Sequence, residues 1–320
     1  MRVLFISTIN GKLDEGMRNI ATHLGRELEK QNSIRYVGLK DFGGIFKNLW
    51  WSQKIIICAR ADKKLYTLVS VLELLRPVAC ILVQSPKEDF KSLFSKRQLK
   101  CLFFTLTLKD AQCIPKIKEE QICWINTGID IARFKPVSVD KQIELKRKLG
   151  FEQDKLLVLH VGHCSSGRRV EKLGELDSKQ FERVVITSGM FEDSAVRKVL
   201  DDCQVKVLSG YRDNIEEYYQ AADVYLFPTC SGEYVISIPL SVMEALACGT
   251  PVVAYKSLYG LEEILLANSQ ALVLVDEDAE LDNIIIEQSK EKGTKCLLEQ
   301  VVAWSDVAHA VHEKMEVYRK

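Results

Sequence analysis

The chain has 320 residues, 47% hydrophobic and 28% charged, the proportions of a globular protein with length for about two domains. No run approaches the roughly 18–20 consecutive apolar residues of a membrane span, and the ten cysteines form no CxxC pair and no zinc-finger spacing with histidine. Formal net charge is zero, but residues 1–136 carry 23 Lys+Arg against 13 Asp+Glu and residues 137–320 carry 21 against 31, which sets aside neither an anionic partner for the basic half nor contact between complementary halves.

The first run, VLFIS (3–7), reads as a buried strand. Its apolar stretch is too short for a signal peptide and no small-residue cleavage site follows, so a cytoplasmic chain with reduced thiols is expected. A polar loop leads to RNIATHLGRELEK, whose apolar residues Ile20, Leu24 and Leu28 have helical spacing. IRYVGL (34–39) and KIIICA (54–59) are strand-like. LYTLVSVLELL (65–75) is an apolar helix stopped by Arg76-Pro77. VACILVQ (78–84) and KCLFFTLT (100–107) are again strands. The polar, proline-led stretch PVSVDKQ (136–142) marks a linker. Beyond it the alternation resumes: strands LLVLHVG (156–162), RVVITSG (183–189) and VKVLSG (205–210), helix NIEEYYQAAD, strand VYLFPT, helix PLSVMEALACG, strand VVAY and strand SQALVLV (269–275). The last stretch, VVAWSDVAHAVHEKMEVYRK, reads as a terminal helix. Strand–helix alternation in both halves predicts an α/β protein of two Rossmann-like domains, residues 1–136 and 137–305, facing a cleft, with ligands outside the carboxyl ends of the strands.

Four stretches carry candidate chemistry. In PLSVMEALACGTPVVA, Pro239 suits the first turn of a helix, Gly249 its C′ position, and Pro251 prevents continuation, which predicts a helix over about 240–248. Its first N–H groups, at Leu240 and Ser241, form a phosphate site at the positive end of the helix dipole. Glu244, one turn in, leans back toward that end, where a carboxylate accepts both hydroxyls of a ribose or simply complements the dipole. In VGHCSSGRRVEKL (161–173), a strand ends at Gly162, and His163, Arg168 and Arg169 follow in a Ser/Gly-rich loop suited to a diphosphate. In NGKLDEGMRN (10–19), Gly16 lets the backbone approach a ligand at a helix start, although GxGxxG is absent. In SGYRDNIEEYYQAAD (209–223), after the strand VKVLSG, Tyr211 and Arg212 are placed to frame a base. Each of these also has a plain structural reading as core, loop or solvated charge.

Taken together, these stretches resemble the retaining GT-B glycosyltransferases of family 4, glycosyl transferases group 1. WINTGIDIARFKP (124–136), LLVLHVGHCSSGRRVEKL, IEEYYQAADVYLFPT (215–229), PLSVMEALACGTPVVA and AWSDVAHAVHEKMEVYR (303–319) follow the family's order, and the resemblance covers about residues 124–320. It implies transfer of a sugar from a nucleotide-sugar donor to a glycan, lipid-linked or small-molecule acceptor, with retention of configuration, no metal and no further cofactor. It also implies a C-terminal helix, about 306–320, returning to the N-terminal domain. Arg168 and His163 would stabilise the departing diphosphate. Gly16, Gly162, Tyr211, Leu240, Ser241 and Glu244 would bind the donor, with Glu244 as the second glutamate of E-x7-E on the ribose. The first glutamate of that motif falls on Ile236; Glu233 is the nearest acid to contact the sugar in its place. Ser237 and Pro239 replace small glycines, and no histidine occurs between His23 and His160. These departures also admit a GT-B protein that has lost transfer and serves as partner or scaffold of an active enzyme. The tryptophans and lysine of LWWSQKIIIC (49–58) add an expectation of peripheral contact at the inner face of the membrane through the basic half. The dispersed basic residues lack an aromatic-interleaved motif, so no nucleic-acid partner is expected.

Overall fold

The computed structural model describes residues 1–8, 15–189, 192–256, 259–267, 270–293 and 302–318. Residues 10–14 of the expected Gly16 loop, Ser269 of the last expected strand, and Val301 and residues 319–320 of the expected terminal helix lie outside them. The chain forms two compact units: Met1–Gly128 with Val235–Ser237 and Val302–Lys320, and Ile129–Tyr234 with Ile238–Val301. The division falls after Gly128, within WINTGIDIARFKP and ahead of the expected linker. The expected linker 136–142 runs into a helix, Val139–Lys148, capped by Ser138, whose Oγ accepts from Lys141 N at 3.3 Å.

The first unit holds a six-stranded parallel sheet of β1 (Arg2–Ser7), β2 (Ser33–Gly38), β3 (Lys54–Ala59), β4 (Val78–Leu82), β5 (Leu102–Thr105) and β6 (Ile122–Trp124), in the order β2-β1-β3-β4-β5-β6. The registers Val3↔Ile34, Leu4↔Ile55 and Ile56↔Ala79 bring β-branched and apolar runs side by side. Every residue of β4 is buried, as a strand covered on both faces requires. Two helices, Phe42–Leu49 and Lys63–Leu72, pack Ile45, Leu49, Leu65, Val69 and Leu72 onto one core with Leu4, Ile6, Ile55 and Ile57, so they cover the same face. Residues 42–49 show no helical pattern in the sequence because Gly43 and Gly44 interrupt it; Asp41 starts the helix by accepting from Gly44 N at 2.8 Å. The terminal helix, Trp304–Val317, belongs to this unit. Trp304 stacks on His23 at 5.3 Å and lies over Gly128, where a Cβ would come within 2.7 Å of the Trp304 Cα and ring.

The second unit has its own core and a second parallel sheet of β7 (Leu156–Val161), β8 (Phe181–Thr187), β9 (Lys206–Ser209), β10 (Val224–Phe227), β11 (Val252–Tyr255) and β12 (Leu272–Val275). Its order is β9-β8-β7-β10-β11-β12, with registers such as Leu159↔Val184 and Tyr225↔Leu159. The chain winds one way from β7 to β9 and the other way from β10 to β12. The topological switch point, where open α/β sheets hold ligands, is therefore at the carboxyl ends of β7 and β10.

Candidate active site

Gly162 follows β7 directly and its N–H bonds Ile186 O at 3.0 Å. A Cβ at this position would stand 2.9 Å from His160 Nε2, so only glycine lets the chain turn over the buried imidazole. His160 Nδ1 meets Leu226 O at 3.0 Å, and the ring stacks on Tyr225. Burial, with Arg168 and His163 nearby, pulls its pKa down to about 4 and keeps it neutral. The loop then makes a 3-10 turn, Ser166–Arg168, ended by Arg169 in the left-handed region at φ 53°.

The two consecutive arginines are used differently. Arg169 pairs with Glu277 at 2.8 Å and with Glu171 at 3.7 Å. Arg168 is half-buried, its Nε has no hydrogen-bond partner, and no ion pair reaches it among the described residues. Burial lowers its pKa from the ordinary arginine value, yet a guanidinium stays charged. A desolvated cation without a counter-ion is an anion site waiting for its ligand.

The switch point's other wall is the helix Leu240–Ala247, which starts at Pro239 without any side-chain cap. Val242 and Met243 donate the first bonds, both to Pro239 O, at 3.1 and 3.2 Å. The N–H groups of Leu240 and Ser241 therefore precede the helical ladder and supply the positive end of the dipole. Gly249 closes the helix at φ 69°, as the C′ reading requires. Tyr225, the second residue of β10, ties the walls together: its hydroxyl donates to Val161 O at 3.1 Å and takes a bond from Ser241, with Arg168 and Glu244 close by.

Glu244 receives a hydrogen bond from the fully buried Tyr219 hydroxyl at 3.0 Å on Oε2 and has no other side-chain partner among the described residues. Burial, with Glu216 adding repulsion, raises its pKa to about 7 against the pull of Tyr219 and Arg133. Arg133 is held beside it by Glu216 at 2.6 Å. One oxygen of this carboxylate thus remains for a hydroxyl donor.

The structure brings Gly162, His163, Arg168, Leu240, Ser241 and Glu244 to one end of the second unit's sheet. Tyr211 follows β9 across Gly210 (φ 104°), two strands from β7. Glu233 is exposed in a 3-10 turn, Gly232–Tyr234. Gly16 belongs to the first unit, at the start of the helix Gly16–Glu29. A Cβ there would lie 3.0 Å from Ile236 Cδ1, so glycine at this position accommodates the Ile236 side chain. Tyr219, Tyr225, Arg133 and Tyr234 are neighbours of the site that the sequence reading did not assign. The Tyr234 ring lies flat on Gly167, 2.5 Å from where a Cβ would be. The tyrosine-rich YYQAAD and VYLFPT stretches hinted at Tyr219 and Tyr225, but their hydroxyls' targets depend on the sheet order. Among the described residues no group of three or more His, Cys, Asp or Glu is placed to hold a metal ion.

A cation, two helix N–H groups and a half-satisfied carboxylate in one place suit a ligand carrying phosphate at one point and a diol at another. Residues 157–287 match the family model described as Glycosyl transferases group 1. A D-inositol 3-phosphate glycosyltransferase of Streptomyces bingchenggensis is 27% identical over 154 residues, 42% of this chain and 32% of that protein. An uncharacterised glycosyltransferase of Methanocaldococcus jannaschii is 27% identical over 195 residues, 56% of this chain and 49% of that protein. The chain thus spans less than half the length of either relative. The crystal structure of Anabaena Alr3699/HepE in complex with UDP-glucose is similar over 99% of this chain and 100% of that one, with a TM-score of 0.77 at 17% identity. Two six-stranded parallel sheets and this full-length likeness give the chain the GT-B fold, and residues 157–287 are similar to glycosyl transferases group 1.

Proposed function

We propose that the chain is a cytoplasmic, retaining glycosyltransferase that moves a sugar from a nucleotide-sugar donor to a hydroxyl of a glycan, lipid-linked or small-molecule acceptor. The observation that carries the reading is Arg168: a half-buried guanidinium with no ion pair among the described residues, at the switch point of a sheet whose other wall is an uncapped helix start. In this reading the donor's diphosphate lies against Arg168, His163 and the N–H groups of Leu240 and Ser241. Gly162 lets it approach, Glu244 accepts the ribose hydroxyls and Tyr211 frames the base. The bond from the sugar C1 to the diphosphate oxygen breaks with its electron pair on the diphosphate. The acceptor oxygen bonds C1 on the same face, and its proton passes to a departing phosphate oxygen. Stabilising the leaving diphosphate is the protein's main task, and one such donor typically contributes about 2.7–4 kcal/mol to the barrier.

Thermal stability against UDP, GDP, ADP and their sugars tests the donor site, with UDP-glucose first because one structural neighbour is a UDP-glucose complex. The expected result is a shift for one nucleotide, equivalent to about 2.7 kcal/mol at 100 times Kd, lost in Glu244→Ala. Arg168→Ala is expected to keep the fold and lose about 100-fold or more in turnover; near-normal turnover would sink the assignment. Turnover that survives excess chelator supports the metal-independent route.

One observation favours a second reading. Ile236, where the family resemblance puts a glutamate, is buried at 7% exposure against Gly16, while Glu233 is exposed. A chain that binds the nucleotide but transfers no sugar to acceptor or water would be a non-catalytic partner of another transferase.

A further inference from the structure

The helix Phe42–Leu49 turns Ile45 and Leu49 into the core and leaves a second apolar stripe outside. Phe42, Phe46 and Trp50, at helical spacing of four, are 59%, 53% and 76% exposed. Leu74 (64%) and Leu75 follow the neighbouring helix, Lys63–Leu72, on the same face of the first unit's sheet. Arg76 joins the two sets: its guanidinium lies 5.7 Å from the Trp50 ring, and its Nε donates to Ser52 O at 2.8 Å. Trp51 behaves differently from Trp50, being half-buried with Arg35 at 4.3 Å over its ring. Single exposed apolar residues are ordinary, but three large ones on one helix with two leucines beside them form a patch.

Basic groups outnumber acidic ones around the patch. Lys40 and Lys47 are exposed, Arg35 donates to Asn48 at 2.9 Å, and Arg76 borders Trp50. The nearby acids are occupied: Asp41 caps Gly44, and the buried Glu73 pairs with Arg97 at 3.2 Å. We propose that this face of the first unit docks on an anionic lipid surface, with Phe42, Phe46, Trp50 and Leu74 entering the headgroup boundary and Lys40, Lys47, Arg35 and Arg76 resting on the phosphates. A second copy of the chain is a poorer occupant, because a two-fold contact through this patch sets the lysines and arginines against their own copies. The inference goes beyond the transferase reading and does not depend on it.

Flotation of the purified full chain with phosphatidylcholine vesicles, with and without phosphatidylglycerol, tests it. The wild type is expected to float with the anionic vesicles at low salt, to be released at high salt, and to ignore the neutral ones. Phe46→Ser with Trp50→Ser is expected to lose at least about ten-fold in partition, and Lys47→Gln or Arg76→Gln about five-fold each. Quenching of tryptophan fluorescence by brominated acyl chains is expected to fall sharply in Trp50→Phe. No flotation of the wild type, or equal flotation of the double serine variant, overturns the proposal. So does self-association that the double variant abolishes while vesicles bind neither protein. Nucleotide thermal shifts in the same variants separate the two readings: a chain that floats but binds no nucleotide keeps the docking face and loses the transferase.

Discussion

One left-handed residue, Arg169 at φ 53°, sends two identical side chains to different tasks. It ties its own guanidinium to Glu277 and leaves that of Arg168 facing the switch point. Glu244 shows the cost of keeping such a place ready. Its pKa is raised from 4.5 to about 7, so its contribution to stability is fully present below about pH 4.5 and is lost as pH rises through 7. Above that range the protein holds a half-buried carboxylate with a single side-chain hydrogen bond. Glu244→Gln keeps an acceptor for Tyr219 and is expected to raise Tm at pH 8, with the gain vanishing toward pH 4.5. Thermal melts across this range check it, and a gain that is flat with pH would refute the assigned cause. Donor binding has the opposite slope, strengthening as pH rises through 7, because hydroxyl donors need the ionised acceptor. His160 acts on the acid side. With its pKa lowered from 6.5 to about 4, the stability it contributes is present above 6.5 and lost as pH falls through 4. His160→Gln is expected to flatten that limb of the Tm profile.

At the scale of elements, the terminal helix is fixed by one large residue. Trp304 fills the place over Gly128 and stacks on His23, while Lys54 Nζ donates to Glu316 O and Tyr318 O at 3.2 and 3.1 Å. Trp304→Ala is expected to destabilise the first unit by about 3–5 kcal/mol in urea unfolding, with little effect on nucleotide binding by the second. The buried strands were legible in the sequence because parallel strands are continuous apolar runs; KIIICA and VVAY match β3 and β11 residue for residue. The helix Leu240–Ala247 was legible from Pro239 and Gly249. Helices such as Glu88–Lys96 and Ser194–Asp202 were not, since their few buried residues (Phe90 and Phe94; Val196 and Leu200) give too weak a stripe in a polar stretch. At the site, Arg168 and Glu244 were legible from type and spacing. Tyr219 and Tyr225 were not, because their partners lie on other elements. The packing of Ile236 against Gly16 was not legible either, since more than 200 residues separate them in the chain.

At the scale of the molecule, zero net charge conceals a dipolar chain, with an isoelectric point near 6.9 and oppositely charged halves. Solubility is expected to pass through a minimum close to that pH, where positive and negative regions of different molecules attract, and to be restored by added salt. Light scattering against pH and sodium chloride checks this, and scattering indifferent to salt would count against it. The division of the chain has another outcome, in the order of biosynthesis. The first unit draws on Val235–Ser237 and on the helix Trp304–Val317, so this unit, though its sheet is translated first, stays unfinished until residues 304–317 have left the ribosome. Until then Gly128 and His23 have no tryptophan to cover them, and the half that begins folding first is the last to be completed.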